Sequence, residues 1–192
     1  RRRALLVDAF TEEPLAGNPA GLVPDATGLS EAQMQAIAGE LGASETAFLI
    51  PSGSADRRIR YFTPTTEVDL CGHATVASHA HLHDEGVVEA GTHTLETNVG
   101  VIEVAVESDG RVWMTQDDPE VREVTVERER VAAALGIDPA ATEVEDLPFA
   151  YASTGLPFLV VPVRLLSDLG GVEPDLDAVA AVLAEVDAVG IY

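Results

Sequence analysis

A thiol, an imidazole and a hydroxyl stand within five consecutive residues, Cys71-Gly72-His73-Ala74-Thr75. The alanines, Val76 and Leu82 that follow carry few charges before Asp84. That pattern predicts a helix apolar on most sides, hence buried rather than laid on a surface. The first N–H groups of such a helix have no partner within it, so they offer a site for an anion such as a carboxylate. A carboxylate of the chain's own stands upstream at Glu45, where a helix stop meets a strand start. Moving a proton on carbon needs a base of this kind, and partial burial brings a carboxylic acid toward a useful pKa. The competing reading of Glu45 is a surface glutamate on an acidic protein.

Each neighbour has two readings as well. His73 can hydrogen-bond a ligand or shuttle a proton, because imidazole titrates near neutrality; otherwise its ring is satisfied by backbone. Gly72 lets a ligand approach the backbone closely, or is a loop glycine before a helix. Cys71 at a helix N-terminus can have a depressed pKa and act as base or nucleophile; the favoured reading is a small buried residue. Thr75 adds a hydroxyl and Asn18 an amide as substrate-binding candidates. Asn18-Pro19 can shape a cleft rim, or form a plain turn, and Asp69 can cap the helix. His79, His81 and His83 invite a metal reading, but they lack an HExxH pattern, so no metal is expected. No G-x-S-x-G, Gly-rich phosphate loop or C-x-x-C is present, which leaves hydrolase, nucleotide and zinc-ribbon readings unsupported.

The net charge is −22, and all 11 basic residues are arginine. Such a surface repels phosphate backbones, so nucleic-acid binding is not expected. It repels itself at low salt too, which suggests a halophilic, salt-rich cytoplasm. Cys71 is the only cysteine, so no internal disulfide can form. No apolar run reaches membrane-spanning length, and RRRALLVDAF is too short in its apolar part for a signal peptide. A cytoplasmic location without membrane partners is the expectation. The start without Met and the end at Gly190-Ile191-Tyr192 suggest a fragment.

Several elements must position these groups. Ala4 to Phe10 and Ala20 to Val23 read as strands, with a tight turn at Gly17-Asn18-Pro19. Ser30 with Gln33 makes a capping box, Met34, Ile37, Ala38 and Leu41 form a helical stripe, and Gly42 stops it. Glu45 to Ile50 and Arg57 to Phe62 read as a hairpin, and three more strand candidates follow the central helix. One of these, VIEVAVE, alternates as a sheet with one wet face does. Composition shifts at Asp117-Asp118-Pro119, after which come a charged segment turning helical, two strands, and a helix from about Asp175 to Asp187. Strand, turn, strand and helix in Leu5 to Leu41 recur weakly in Phe149 to Val186. These signals give residues 1–118 as an N-terminal catalytic lobe and 119–192 as the truncated start of a second, similar lobe.

Four ordered motifs carry a family resemblance: Asp8-Ala9-Phe10-Thr11 with Ala16-Gly17-Asn18-Pro19, Ser44-Glu45-Thr46-Ala47-Phe48, Phe62 through Leu70, and Cys71-Gly72-His73-Ala74-Thr75. Together they resemble the PhzF-like phenazine-biosynthesis isomerases, over nearly the whole chain. The resemblance implies an α/β, diaminopimelate-epimerase-like fold: a mostly antiparallel sheet wrapped around a central helix, in a duplicated lobe whose second copy is incomplete here. It implies a cofactor-independent isomerase, often a homodimer, acting on a small anionic substrate; its best understood members isomerise a dihydro-hydroxyanthranilic acid by moving a proton. The family's base is the glutamate of its S-E-T motif, here Glu45, and its G-H pair, here Gly72 and His73, lines the substrate site. The family's second lobe supplies further groups that this sequence ends before, so the chain alone is expected to be incomplete for activity. Related epimerases use paired cysteines, and Cys71 resembles the first of such a pair. An amino-acid epimerase or racemase is therefore the alternative, with a non-catalytic binding or assembly lobe as the third.

Overall fold

The computed structural model describes residues 2–192 and divides into two compact units, one ending at Gln116 and the other spanning Asp117–Tyr192. In the first unit, β1 (Leu5–Ala9) and β2 (Asn18–Val23) pair antiparallel. Helix α1 (Glu31–Leu41) then carries the chain to β3 (Thr46–Ile50), which lies parallel to β2. β3 turns back into β4 (Arg57–Phe62), and the two-residue β5 (Glu67–Val68) pairs with β4. Helix α2 (Gly72–Asp84) crosses to β6 (Gly91–Thr97), parallel to β4, and β7 (Gly100–Val106) and β8 (Val112–Met114) complete the sheet. The strand order is β1-β2-β3-β4-β6-β7-β8. The end strands β1 and β8 both pack on α2, so the sheet curls around that one helix.

This wrapping explains why α2 is so poor in charge: Ala74, Ala77, Ser78 and Leu82 are buried inside the curl. α1 covers the outer face, where Met34 and Ala38 pack with Val23, Phe48 and Phe62. β3 therefore lies between two helices and is buried on both faces, as its unbroken apolar run requires. α1 starts with the capping box, in which Ser30 Oγ accepts from Gln33 N–H while the Gln33 side chain accepts from Ser30 N–H. It ends at Gly42 with φ 66°, a left-handed conformation that favours glycine.

Two local expectations need correction, and a third residue nearby gains a partner. Asn18 and Pro19 are not the turn but the start of β2, opposite Ala9 and Asp8. Pro19 is tolerated there because pairing to β3 begins only at Gly21, so its missing N–H breaks no second ladder. The turn is Phe10 to Gly17, where Leu15 N–H donates to Asp8 Oδ2 at 2.9 Å. Asp69 does not cap α2; the N-cap residue is Cys71. Finally, within the T-P-T-T-E-V-D-L segment, Glu67 has a structural partner, accepting two hydrogen bonds of 2.6 Å from Arg60. Those bonds hold the Glu67 carboxyl below its usual range against the opposing effect of burial.

His79, inside α2, is 2% exposed, and its Nδ1 lies 2.9 Å from Thr75 O, one turn back. Burial pushes its pKa below the ordinary 6.5, and the positive charges of His93 and Arg57 act in the same direction. The unfolded chain therefore binds a proton that the folded one refuses. Stability from this group is complete above 6.5 and is lost as pH falls from there toward the folded value. The loss has a ceiling of about 1.4 kcal/mol for each pH unit inside that window. Urea melts between pH 7.5 and 5.5 are expected to give a shallower decline for His79→Asn than for wild type. Equal declines would show that His79 is not the group responsible.

The second unit is a four-stranded sheet in the order β12-β11-β10-β9, comprising β9 (Glu120–Glu123), β10 (Ala150–Ser153), β11 (Pro157–Val160) and β12 (Gly190–Ile191). Helices α3 (Arg128–Leu135), α4 (Leu166–Leu169) and α5 (Leu176–Val186) belong to it, with a short 3-10 turn at Pro139–Thr142. Val131 and Ala134 of α3 and Val182 and Val186 of α5 pack with Phe149, Leu159 and Val161. The topology of β1, β2, α1 and β3 recurs: β10 and β11 are antiparallel, and after α5 the chain returns as β12 parallel to β11. No helix among the described residues is long and apolar enough to cross a membrane.

Candidate active site

Glu45 is placed by what flanks it. Gly42 ends α1, Ala43 is buried, and Glu45 O accepts from Gly21 N–H of β2 at 2.9 Å, which pins the entry to β3. Alternation along β3 puts Glu45 on the face of Ala47. Ala47 lies opposite Tyr61, whose hydroxyl meets Thr75 of α2, so this is the face toward the central helix.

There the carboxylate meets the start of α2. Glu45 Oε2 lies 3.5 Å from His73 Nε2, with 25% of the Glu45 side chain and 13% of the His73 side chain exposed. Ser44 Oγ lies 3.4 Å from the same nitrogen, and Cys71 Sγ lies 3.3 Å from His73 Nδ1. The imidazole thus stands between thiol and carboxylate at the mouth of the helix. For Ser44 the one signal in the sequence is its place beside Glu45.

The thiol follows the buried reading rather than the helix-terminus one. A cysteine at a helix N-terminus should ionise easily, but burial and then the Glu45 charge and hydrogen bond push Cys71 up to about 12, against the N–H groups of Ala74 and His73. That shift favours the thiol over the thiolate near neutrality. Thr75 is also corrected. It is fully buried, donates to Cys71 O at 2.7 Å, and accepts from the Tyr61 hydroxyl at 2.5 Å. Its hydroxyl is spent on holding Cys71 at the helix start rather than on a ligand.

Gly72, the first residue of α2, stands at one end of a groove of about 710 Å³ whose walls include Phe10, Val76, Trp113 and Gln116. A Cβ on Gly72 would meet nothing nearer than Gln116 Nε2 at 3.7 Å, so packing within this unit does not demand glycine there. Asn18 is exposed at the same end of the sheet, three residues before the Gly21 that binds Glu45 O. Of HAHLH, His79 Nδ1 and His83 Nδ1 both face backbone carbonyls, Thr75 O and Val88 O. Among the described residues, the one group of three potential ligands close enough to share a metal is Glu45, Cys71 and His73.

Comparison with known proteins identifies the family and the fold. A family model described as phenazine biosynthesis-like protein matches residues 7–191. An uncharacterized isomerase of Bacillus subtilis, YfhB, is 40% identical over 98% of the chain, which spans 65% of that relative's length. The crystal structure of a Bacillus anthracis phenazine biosynthesis protein of the PhzF family superposes with TM-score 0.81 at 37% identity, over 97% of this chain and 64% of that one. A predicted epimerase from Pseudomonas aeruginosa gives TM-score 0.85 at 28% identity, over 100% of this chain and 69% of that one.

Proposed function

The chain belongs to the phenazine biosynthesis-like, PhzF family of isomerases, and we propose that its first unit carries the proton-transfer half of a cofactor-independent isomerase site. The observation that carries this reading is the 3.5 Å approach of Glu45 Oε2 to His73 Nε2 at the open start of α2. Glu45 takes a proton from a substrate carbon: the C–H bond breaks, an O–H bond forms, and the electron pair delocalises into the substrate's conjugated acid. The same carboxylic acid then returns a proton to a different carbon, so nothing is oxidised or reduced. His73, with one ring nitrogen toward Cys71 and the other toward Glu45, holds Glu45 in place. The N–H end of the helix, beginning at Gly72, receives the substrate carboxylate. The neutral, buried Cys71 supports this assignment over a cysteine-based epimerase.

Proton NMR in D₂O tests it in a protein whose second lobe is complete, with dihydro-hydroxyanthranilic acid and a panel of small unsaturated and α-amino carboxylates as probes. The substrate is expected to gain deuterium on carbon without added cofactor. Turnover that leaves no solvent hydrogen on carbon would overturn the reading.

Gly72 gives a second test. Gly72→Ala is expected to fold as well as wild type, or to gain up to about 1 kcal/mol from helix propensity. It places a methyl where the substrate carboxylate must reach the helix N–H groups, so KM should rise at least about tenfold while kcat falls less. Unchanged KM would move the carboxylate elsewhere.

A further inference from the structure

Glu45, Cys71 and His73 do more than face one another. One carboxylate oxygen, the thiol sulfur and one imidazole nitrogen all lie within 4.8 Å of each other. A tetrahedral zinc ion, with bonds of roughly 2.0–2.3 Å, sets its ligand atoms a little under 4 Å apart, so small side-chain rotations close the set. The donors are sulfur, nitrogen and oxygen, a mixed set that suits zinc and related borderline ions and disfavours magnesium and calcium. All three are held from behind. Cys71 is fixed through Thr75 and Tyr61, Glu45 through the Gly21 N–H, and His73 by its place in the first turn of α2. The cluster is sheltered but reachable: Cys71 is 5% exposed, while the Glu45 side chain keeps 25%.

We propose that this cluster is an inhibitory zinc site, in which Zn²⁺ takes Cys71 Sγ, one His73 ring nitrogen and a Glu45 oxygen, with water in the fourth position. Binding replaces zinc-bound waters, and the Cys71 S–H proton leaves to solvent as the Zn–S bond forms. No electron changes hands. The ion then occupies the carboxylate that would take the substrate proton, so metal capture and proton transfer exclude each other. Capture itself needs only the three donors and stands whether or not the isomerase reading holds.

Cobalt(II) is the probe, because thiolate bound to cobalt gives a sulfur-to-metal charge-transfer band in the near ultraviolet. Cys71 is the only cysteine of the 192 residues, so in this chain such a band has one source. Anaerobic titration is expected to develop the band to one cobalt per chain, and one equivalent of Zn²⁺ is expected to abolish it. Cys71→Ser should remove the band and weaken zinc at least 100-fold. His73→Gln and Glu45→Gln should each weaken it at least tenfold, whereas His81→Gln should leave it unchanged. Circular dichroism confirms that each variant is folded. Absence of the band in wild type, saturation at one metal per two chains, or equal zinc affinity in all four variants would overturn the site.

Discussion

Glu45→Gln, in a protein whose second lobe is complete, is expected to lower solvent deuterium exchange into substrate by at least about 100-fold, and by as much as ~10⁴-fold, with substrate binding almost unchanged. The amide matches the carboxylate in shape and can still face His73, but it cannot accept a proton from carbon. The fold should tolerate the change. The side chain is one-quarter exposed, and the link to Gly21 runs through the main-chain carbonyl, which the substitution leaves in place. An independent readout needs no substrate. The Glu45 charge and its hydrogen bond help hold the Cys71 thiol neutral, so their loss should lower the thiol pKa and speed alkylation of Cys71 by iodoacetamide at fixed pH. Exchange undiminished in Glu45→Gln would remove Glu45 as the base. A faster thiol beside undiminished exchange would revive Cys71.

Much of the first unit could be read from the chain because its signals are local. The capping box at Ser30 and Gln33, the left-handed Gly42, the β3–β4 hairpin and the charge-poor α2 each depend on a few neighbouring residues, and each forms as its pattern predicts. β9 was missed because Glu120–Glu123 is exposed throughout and so shows no buried alternation. Pairing with β10 defines it, and no window of sequence records that. In the site, the meeting of Glu45 with α2 followed from motif order. The state of Cys71 did not, because two opposing effects act on one atom. The helix terminus favours the thiolate, burial opposes it, and the winner depends on how completely the sheet closes over the residue. Thr75 failed for a related reason. A hydroxyl at a helix start reads as a ligand contact until Tyr61, fourteen residues away in sequence, is seen to occupy it.

The strand that carries Glu45 can be displaced from behind, and the effect should be large. A Cβ on Gly21 would lie 2.3 Å from Thr46 Oγ1 and 2.9 Å from both Thr46 Cβ and Cγ2, well inside contact. Thr46 is fully buried, so its side chain has no exit to solvent. Gly21→Ala is therefore expected to cost about 2–3 kcal/mol in denaturant melts, as overpacking in a closed core does. The relief is specific. Thr46 Oγ1 has no hydrogen-bond partner among the described residues, so Thr46→Ala alone should cost about 1 kcal/mol or less. The double variant should recover at least about 1 kcal/mol relative to the sum of the two single changes, since neighbours that share one clash do not add. Activity should follow geometry as well as stability. Gly21 N–H holds Glu45 O, and Thr46 is the next residue, so forcing β2 and β3 apart moves the base. A shift of about 1 Å at a reacting group can cost ~100-fold in rate. At a temperature where Gly21→Ala remains folded, its exchange rate is expected to fall at least about tenfold, and Gly21→Ala with Thr46→Ala should restore most of it. A Gly21→Ala protein with wild-type stability and wild-type exchange would mean that the β2–β3 register does not set the position of Glu45.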